Sequence, residues 1–423
     1  MLESLAEFKK YEDIEQVKYT NLYYIQNKFY YLTTKTYQNI KSIKTLGGPE
    51  HTGRINEKLY SINPIIKYFE NEDKLNLFIY NLKCKEYKDP TLYFSHYYQH
   101  NIGHGLYDAL YPIYLSYLTF FNNKEYHTFN MFVNLLIDPG GWRMPPNYIP
   151  TREWVLKVFK DFCLNGDFII KPTINIKFNT LIAGSFNGGI SFVNKKFIMF
   201  GKELFGLEKF RNRFLKVYNI KPITKTTINI LIINSDRYTK QERHTFKQII
   251  DIYSNREDIH ISYIDWKDIS IFKNQIQLVH NCDIHISGSG TSMMNFPFLK
   301  QNSIHINLGT LFDKNKLLYS LMETNICLLS NDIYCDMYDI YNHKSILYDK
   351  LKNCIDTHIH NLKNKCYLKS EIPLYTKKWQ LFCHKYPDKA NEYIERLRGL
   401  KKPNWIGYRY PDTVILYDPE IYY

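Results

Sequence analysis

The sequence has no apolar run long enough to cross a membrane: its richest stretch, Leu110 to Phe121, falls well short of the about 20 residues a spanning helix needs. Its first residues, MLESLAEFKKYEDIEQ, mix acids with lysines and hold no apolar core of signal-peptide length. A cytoplasmic protein is therefore the expectation. The 8 cysteines (84, 163, 282, 327, 335, 354, 366 and 383) form no C-x-x-C pair and no zinc spacing, which points to reduced core residues rather than a disulfide framework. Low-complexity tracts and internal repeats are missing too, which excludes solenoids and disordered linkers. The glycine-containing turn at Gly288-Ser-Gly290 lacks the third glycine of a dinucleotide fingerprint. It also lacks the Gly-Lys-Ser/Thr of a Walker loop and the Gly-x-Ser-x-Gly of a nucleophile elbow.

What is present is an ordinary globular balance, 44% hydrophobic and 23% charged over 423 residues, enough for two domains with separate cores. Heavy use of Ile, Asn, Lys and Tyr (38 Tyr) matches an AT-rich genome and carries no chemistry. The net charge of +13 is scattered, with nothing denser than pairs such as Lys195-Lys196, Lys377-Lys378 and Lys401-Lys402. A nucleic-acid binder would cluster it in a stripe, so no nucleic-acid partner is expected. Phosphorylated or acidic substrates suit such a charge equally well, as do plain solvated lysines.

The chain is organised around Cys282 to Gly309. Asp283 to Ser287 alternates like a short half-buried strand and stops at Gly288-Ser289-Gly290, where the backbone can turn tightly and approach a ligand. Thr291 or Ser292 can cap a helix over Met293 to Leu299, with Pro297 as a break, before a second strand over Ser303 to Leu308. Strand, glycine turn and helix start together converge free N–H groups on a phosphate. An ordinary strand-to-helix turn reads the same way.

A second informative stretch is Tyr97 to Phe121, where His100, His104 and Asp108 fall four apart. With a helix from about Ile102, His104 and Asp108 share a face and His100 precedes the entrance. A carboxylate-held imidazole is a common general base. The same residues also suit a polar helix start bonding its own backbone, or three ligands of a metal. Leu106, Leu110, Ile113 and Leu118 give the rest of the helix a core face.

Elsewhere in the first half, residues 17 to 34 read as two aromatic strands around Gln26-Asn27-Lys28, and Thr45 to Arg54 as a glycine-rich loop. Leu92 to Ser95, Phe129 to Ile137, Phe168 to Ile170 and Ile174 to Ala183 read as strands, and Asp138 to Trp142 as a loop. Thr151 to Leu164 reads as a helix capped by Thr151, and Leu204 to Tyr218 as a basic amphipathic helix. The break at Ile220 to Thr226 separates an N-terminal α/β domain, 1–220, from a second domain, 221–370.

That second half opens with the buried-type strand Thr227 to Asn234 and continues in α/β alternation: a helix from Lys240 to Tyr253, a strand from Ile259 to Ile264 and a helix from Ile269 to His280. Ligands of doubly wound sheets bind at the carboxyl ends of strands, and Arg237, Asp265-Trp266 and Ser287 to Ser292 all follow strands directly. An arginine there suits a diphosphate, and equally a surface ion pair. Leu347 to Leu362 and Tyr375 to Leu400 read as helices. A tail, 371–423, rich in Pro and Tyr at its end, is expected to pack back on the first domain.

These residues carry a resemblance. Asn101-Ile-Gly-His104-x3-Asp108-x-Leu110-x-Pro112 is similar to the N-x-G-H-x3-D-x-L-x-P signature of glycosyltransferase family 61. Phe210-Arg211, then Arg237, Arg243 and Cys282-Asp283 leading into Gly288-Ser-Gly290 follow that family's order. The likeness spans Leu92 to Gly309, with Ser287 in place of the family's loop histidine and Asn307 where a glutamate is usual. It implies a GT-B fold of two Rossmann-like domains facing a central cleft. It further implies an inverting transferase with a nucleotide-diphosphate sugar as donor, a UDP-sugar foremost, a glycan or glycoprotein as acceptor, and no bound metal. Donor contacts would then come from Arg237, Arg243, Asp265, Trp266 and Ser287, Gly288, Ser289, Gly290, Thr291 and Ser292. His100 and Asn101 would lie on the acceptor side, and either His104 or Asp108 would be the base. The alternatives are a non-catalytic glycan- or nucleotide-binding protein on the same fold and a metal-dependent hydrolase built on His100, His104 and Asp108.

Overall fold

The computed structural model describes residues 3–11, 14–36, 40–45, 60–97, 99–121, 127–136, 148–184, 206–221, 223, 226–236, 238–288, 293–308, 310–313, 316–318, 333–337 and 346–366. The expected loops after Thr45 and at Asp138 to Trp142, the helix at Tyr375 to Leu400 and the terminal tail lie outside them. The protein is a mixed α/β chain that divides into two compact units, residues 1–193 with 208–217, and residues 194–207 with 218–423.

The first unit is built on a nine-stranded sheet. Its N-terminal part is antiparallel: β1 (Leu5–Tyr11) pairs with β2 (Ile14–Ile25), which turns back into β3 (Lys28–Thr33). Gln26 and Asn27 take φ of 48° and 64°, and Ile25 pairs directly with Lys28. The hairpin turn is thus the two-residue, doubly left-handed kind, in which asparagine is well tolerated, and Lys28 belongs to the strand rather than the turn. The small ladder of β4 (Ile43–Lys44) with β5 (Ser61–Ile62) follows, then β6 (Ile65–Tyr68) and helix α1 (Glu72–Leu82), capped by the Asn71 side chain.

Strands β7 (Lys85–Tyr87), β8 (Thr91–His96), β9 (Asn130–Leu135), β10 (Phe168–Ile169) and β11 (Ile176–Ala183) join the sheet in the order β10-β9-β8-β11-β2-β3-β6, with β7 beside β11. β6 lies parallel to β3, and the strands on the other side of β2 are parallel to one another, with β11 antiparallel to β2 where the two parts join. β9 and β10 add on one side of β8 and β11 on the other, so the strand order reverses at β8. A helical crossover leaves β8: α2 (Ile102–His104), a π-helical turn Gly105–Leu110 and α3 (Tyr111–Phe120), in direct succession. Every residue from Tyr111 to Leu118 is buried, which accounts for the apolar richness of this stretch: a helix enclosed on all sides has no polar face. No helix of the described residues is long and apolar enough to cross a membrane.

Helix α4 (Tyr148–Phe162) links β9 to β10 and begins three residues before the expected cap Thr151, with Pro150 in its first turn, where a missing N–H is harmless. The expected basic amphipathic helix is present as α5 (Leu207–Val217), and one of its basic residues lies in the core. Its Arg213 is fully buried, with the guanidinium carbon 3.9 Å from the ring centre of Phe129 and 5.0 Å from that of Phe162. Nε donates to the Phe162 carbonyl at 3.0 Å and Nη1 to that of His127 at 2.9 Å. Burial lowers the guanidinium to about 10, so it still carries its charge at neutral pH.

The second unit holds a five-stranded, all-parallel sheet. In chain order it comprises β12 (Ile228–Ile233), α6 (Lys240–Ser254), β13 (Ile259–Ile264), α7 (Phe272–His280), β14 (Ile284–Ser287) and β15 (Ile304–Asn307). A short ladder of β16 (Thr310–Asp313) with β17 (Lys316–Leu318) precedes β18 (Tyr334–Met337) and α8 (Tyr348–Lys363). The sheet order is β13-β12-β14-β15-β18, so the direction of winding reverses between β12 and β14. One face carries Ile230, Ile232, Ile284, Ile286, Ile304 and Ile306, which pack with Phe246, Ile249 and Tyr253 of α6 and Leu351, Ile355 and Ile359 of α8. Period-two alternation sends His285, Ser287, His305 and Asn307 to the opposite face, where all four are fully buried. The expected helix over Met293 to Leu299 is only a 3-10 turn, Phe296–Phe298. The run is short, and Pro297 removes a donor.

Candidate functional site

β8 delivers its chain into a turn tied to β9, where Gln99 Nε2 donates to the Leu136 carbonyl at 2.8 Å. Asn101 then caps the helix: its Oδ1 accepts from the N–H of Gly103 at 3.0 Å and of His104 at 3.4 Å. The capping expected of a polar helix start thus falls to Asn101, and His104 and Asp108 bond each other, Nδ1 to Oδ2 at 2.5 Å. The helix is π-wound from Gly105 to Leu110 rather than α-helical, a local rewinding frequent at functional sites. Gly105 lets this turn press on α4: a Cβ there would stand 3.0 Å from Val155 Cγ1 and 3.3 Å from the Phe159 ring.

Three histidines and one carboxylate make up the cluster. His96, the last residue of β8, is buried with its ring 5.2 Å from that of Phe159, and its Nε2 has no hydrogen-bond partner. Burial drives its imidazole down to about 3, with His104 and His100 adding to the effect. Burial also lowers His100, and His104 again contributes. Asp108 moves the other way: burial raises its carboxyl although His104 opposes the shift. Its Oδ1 is buried and unpartnered. In the neutral His104 ring, the Asp108 contact at Nδ1 leaves Nε2 as the acceptor, the arrangement that lets an imidazole take a proton from a hydroxyl.

In the second unit the named residues stand at the carboxyl edge of the sheet. Asp265 accepts from Asn234 Nδ2 at 3.1 Å and from the Lys267 N–H at 3.1 Å, and pairs with the Lys267 ammonium at 3.0 Å. Burial pushes this carboxyl up, but the Lys267 and Asn234 contacts together outweigh it and hold it below its usual range. Tyr263 donates to Asn234 Oδ1 at 2.7 Å, so the ends of β12 and β13 are stitched together. Trp266 is half-buried just beyond. Arg243 directs Nε to the Tyr238 carbonyl and Nη2 to the Ser235 carbonyl, each at 3.2 Å, and so holds the loop that follows β12. Ser287 is fully buried with Oγ unpartnered, and the Gly288 N–H is taken by the Tyr238 hydroxyl at 2.6 Å. Arg237, Ser289, Gly290, Thr291 and Ser292 lie outside the described residues.

Two groups escaped the reading of the sequence. His96 continues the four-residue spacing of His100, His104 and Asp108 backwards, a signal hidden by its place in a strand. Tyr238 left no signal at all, because its contact with Gly288 spans 50 residues. Among the described residues, no group of three or more His, Cys, Asp or Glu side chains is arranged to hold a metal ion. No protein-family model matches the sequence, and no curated protein does.

Proposed function

We propose that the chain is a glycosyltransferase that moves a sugar from a nucleotide-diphosphate donor, foremost a UDP-sugar, to a hydroxyl of a glycan or glycoprotein. The observation that carries the reading is the bonded pair His104–Asp108, set just after the strand at which the parallel order reverses. Doubly wound sheets bind their ligands at such reversal points. A second reversal, between β12 and β14, lies beside the ends of these strands and the turn at Gly288. The GT-B arrangement of two Rossmann-like domains belongs to this proposal, as does an inverting, metal-independent course.

In this reading the acceptor oxygen forms its bond to the anomeric carbon as the bond from that carbon to the diphosphate breaks. His104 Nε2 takes the acceptor proton, and Asp108 stabilises the imidazolium that results. The leaving diphosphate gathers negative charge, which Arg237 and backbone N–H groups of the β14 turn offset. A thermal-shift panel of UDP, GDP, CDP and UDP-sugars, with and without EDTA, tests it on wild type and Arg237→Ala. One diphosphate should raise the melting temperature, with EDTA making no difference and the variant losing the shift. No response to any nucleotide would refute the reading, and a response that needs metal would favour hydrolase chemistry at His100, His104 and Asp108.

A further inference from the structure

Asn234 and Asp265 are the first residues past β12 and β13, and they continue the pairing of those strands, the Asn234 N–H donating to the Ile264 carbonyl at 2.7 Å. We infer that the Asp265 carboxylate accepts a ribose hydroxyl of the donor nucleotide. This rests on the transferase reading above and adds to it the group by which the second unit selects a ribonucleotide. Counted along the chain, the sheet order β13-β12-β14-β15-β18 is 2-1-3-4-5, a doubly wound order whose ligands lie at the carboxyl ends of the strands beside the first one. In doubly wound nucleotide sites, an acid beyond the first β-α unit bonds the ribose while the phosphates lie nearer the first strand. Asp265 stands in that place.

Its neighbours orient it. The Tyr263 hydroxyl donates to Asn234 Oδ1 at 2.7 Å, which turns the amide so that Nδ2 donates to Asp265 Oδ2 at 3.1 Å. The carboxylate is thereby tied to the end of β12, the strand that borders the reversal. Burial pushes the carboxyl up, but Lys267 and Asn234 outweigh it and keep the group an ionised acceptor at neutral pH. Oδ2 takes Asn234 and the Lys267 ammonium at 3.0 Å, whereas Oδ1 takes one partner, the Lys267 N–H at 3.1 Å. A carboxylate oxygen accepts two hydrogen bonds, so Oδ1 has room for a hydroxyl. The side chain is reachable, at 18% exposure. The Lys267 side chain is 66% exposed and also lies 3.9 Å from Asp236, so its ammonium can move aside without losing an anionic neighbour.

The test is calorimetric titration of the full chain with UDP, 2′-deoxy-UDP and 3′-deoxy-UDP, on wild type, Asp265→Ala and Lys267→Ala. We expect wild type to bind one of the deoxy analogues about tenfold more weakly than UDP, equivalent to ~1.4 kcal/mol. A hydrogen bond to a charged group that is partly exposed has about that strength. Asp265→Ala should bind UDP as weakly as wild type binds that analogue, with no preference left between the two. Lys267→Ala should keep the preference, since it loses the ion pair and retains the acceptor. Equal binding of all three nucleotides by wild type overturns the inference, needs no variant to fold, and leaves the transferase reading standing. A preference that survives in Asp265→Ala also overturns it, by placing the hydroxyl's partner elsewhere. Loss of the preference in both variants would make the ion pair a structural clasp and overturn it too. A wild type that binds no nucleotide at all removes both readings.

Discussion

His285 and His305 meet Nδ1 to Nδ1 at 2.9 Å across the adjacent strands β14 and β15, and neither ring is exposed. A bond between two ring nitrogens needs one proton, so one imidazole donates and the other accepts, and both are neutral. The Phe296 ring stacks on His305 at 4.7 Å and 16°. Burial pushes His285 down to about 3 and His305 well below its usual value.

These two, with His96, make the protein acid-sensitive. Each is unprotonated when folded and titrates near 6.5 when unfolded, so the unfolded chain binds more protons as pH falls. Their contribution to stability is complete above about pH 6.5 and is lost progressively toward about pH 3. Urea unfolding followed by circular dichroism from pH 7.5 to 4 should show the midpoint falling. Replacing His285 and His305 together by Leu should flatten the fall; an unchanged slope would place the proton uptake elsewhere.

Asp108→Asn keeps the shape of the side chain and removes its charge. Under the proposed transferase reading, transfer should fall by ~100-fold, because an imidazolium formed at His104 would lose its counter-charge. Stability should respond in the opposite sense. The folded-state carboxyl is raised by burial, so the wild type loses stability as pH rises through that carboxyl's titration, and the Asn variant does not. Parallel measurement of rate and urea midpoint against pH separates the two effects.

Gly105→Ala should destabilise, although alanine ordinarily favours a helix by ~1 kcal/mol over glycine. The new methyl meets Val155 Cγ1 at 3.0 Å, and such overpacking costs ~1–3 kcal/mol. Combining it with Val155→Ala should be less harmful than the two single changes added together, a coupling readable in a double-mutant cycle. Strict additivity would mean that the π-turn does not press on α4.

Arg213→Ala should cost ~3 kcal/mol or more in the first unit, since it empties an aromatic enclosure and leaves the carbonyls of Phe162 and His127 without their donor. Arg213→Lys should recover only part of this, because an ammonium lacks the planar fork that reaches both oxygens while lying on Phe129. Equal stability of the Lys variant and wild type in urea would show that the charge alone matters.

Much of the fold is visible in local pattern. The strand Ile259–Ile264 stands where its alternation puts it, and the α6 helix runs one residue past its expected end. His104 and Asp108, four apart, come within bonding distance, since spacing along a helix is a local property. The helix at Met293 to Leu299 failed because a short run interrupted by Pro297 forms one tight turn before the next strand begins. The burial of Arg213 gave no sequence signal, because an amphipathic pattern weighs each arginine as polar, whereas aromatic rings from α3, α4 and the segment before β9 enclose this one.

By itself, then, the sequence determined many of the strands and helices, Ile259–Ile264 and Lys240–Ser254 among them, and which titratable residues recur at helical spacing. These depend on a residue and its near neighbours. Tertiary structure alone decided the strand orders with their reversals at β8 and between β12 and β14, the burial of His96, His285, His305 and Arg213, and the bond from Gly288 to Tyr238. Burial and long-range pairing are properties of what surrounds a residue. They push a histidine well below its ordinary value or turn an amide toward a phenol only once distant segments have closed around it.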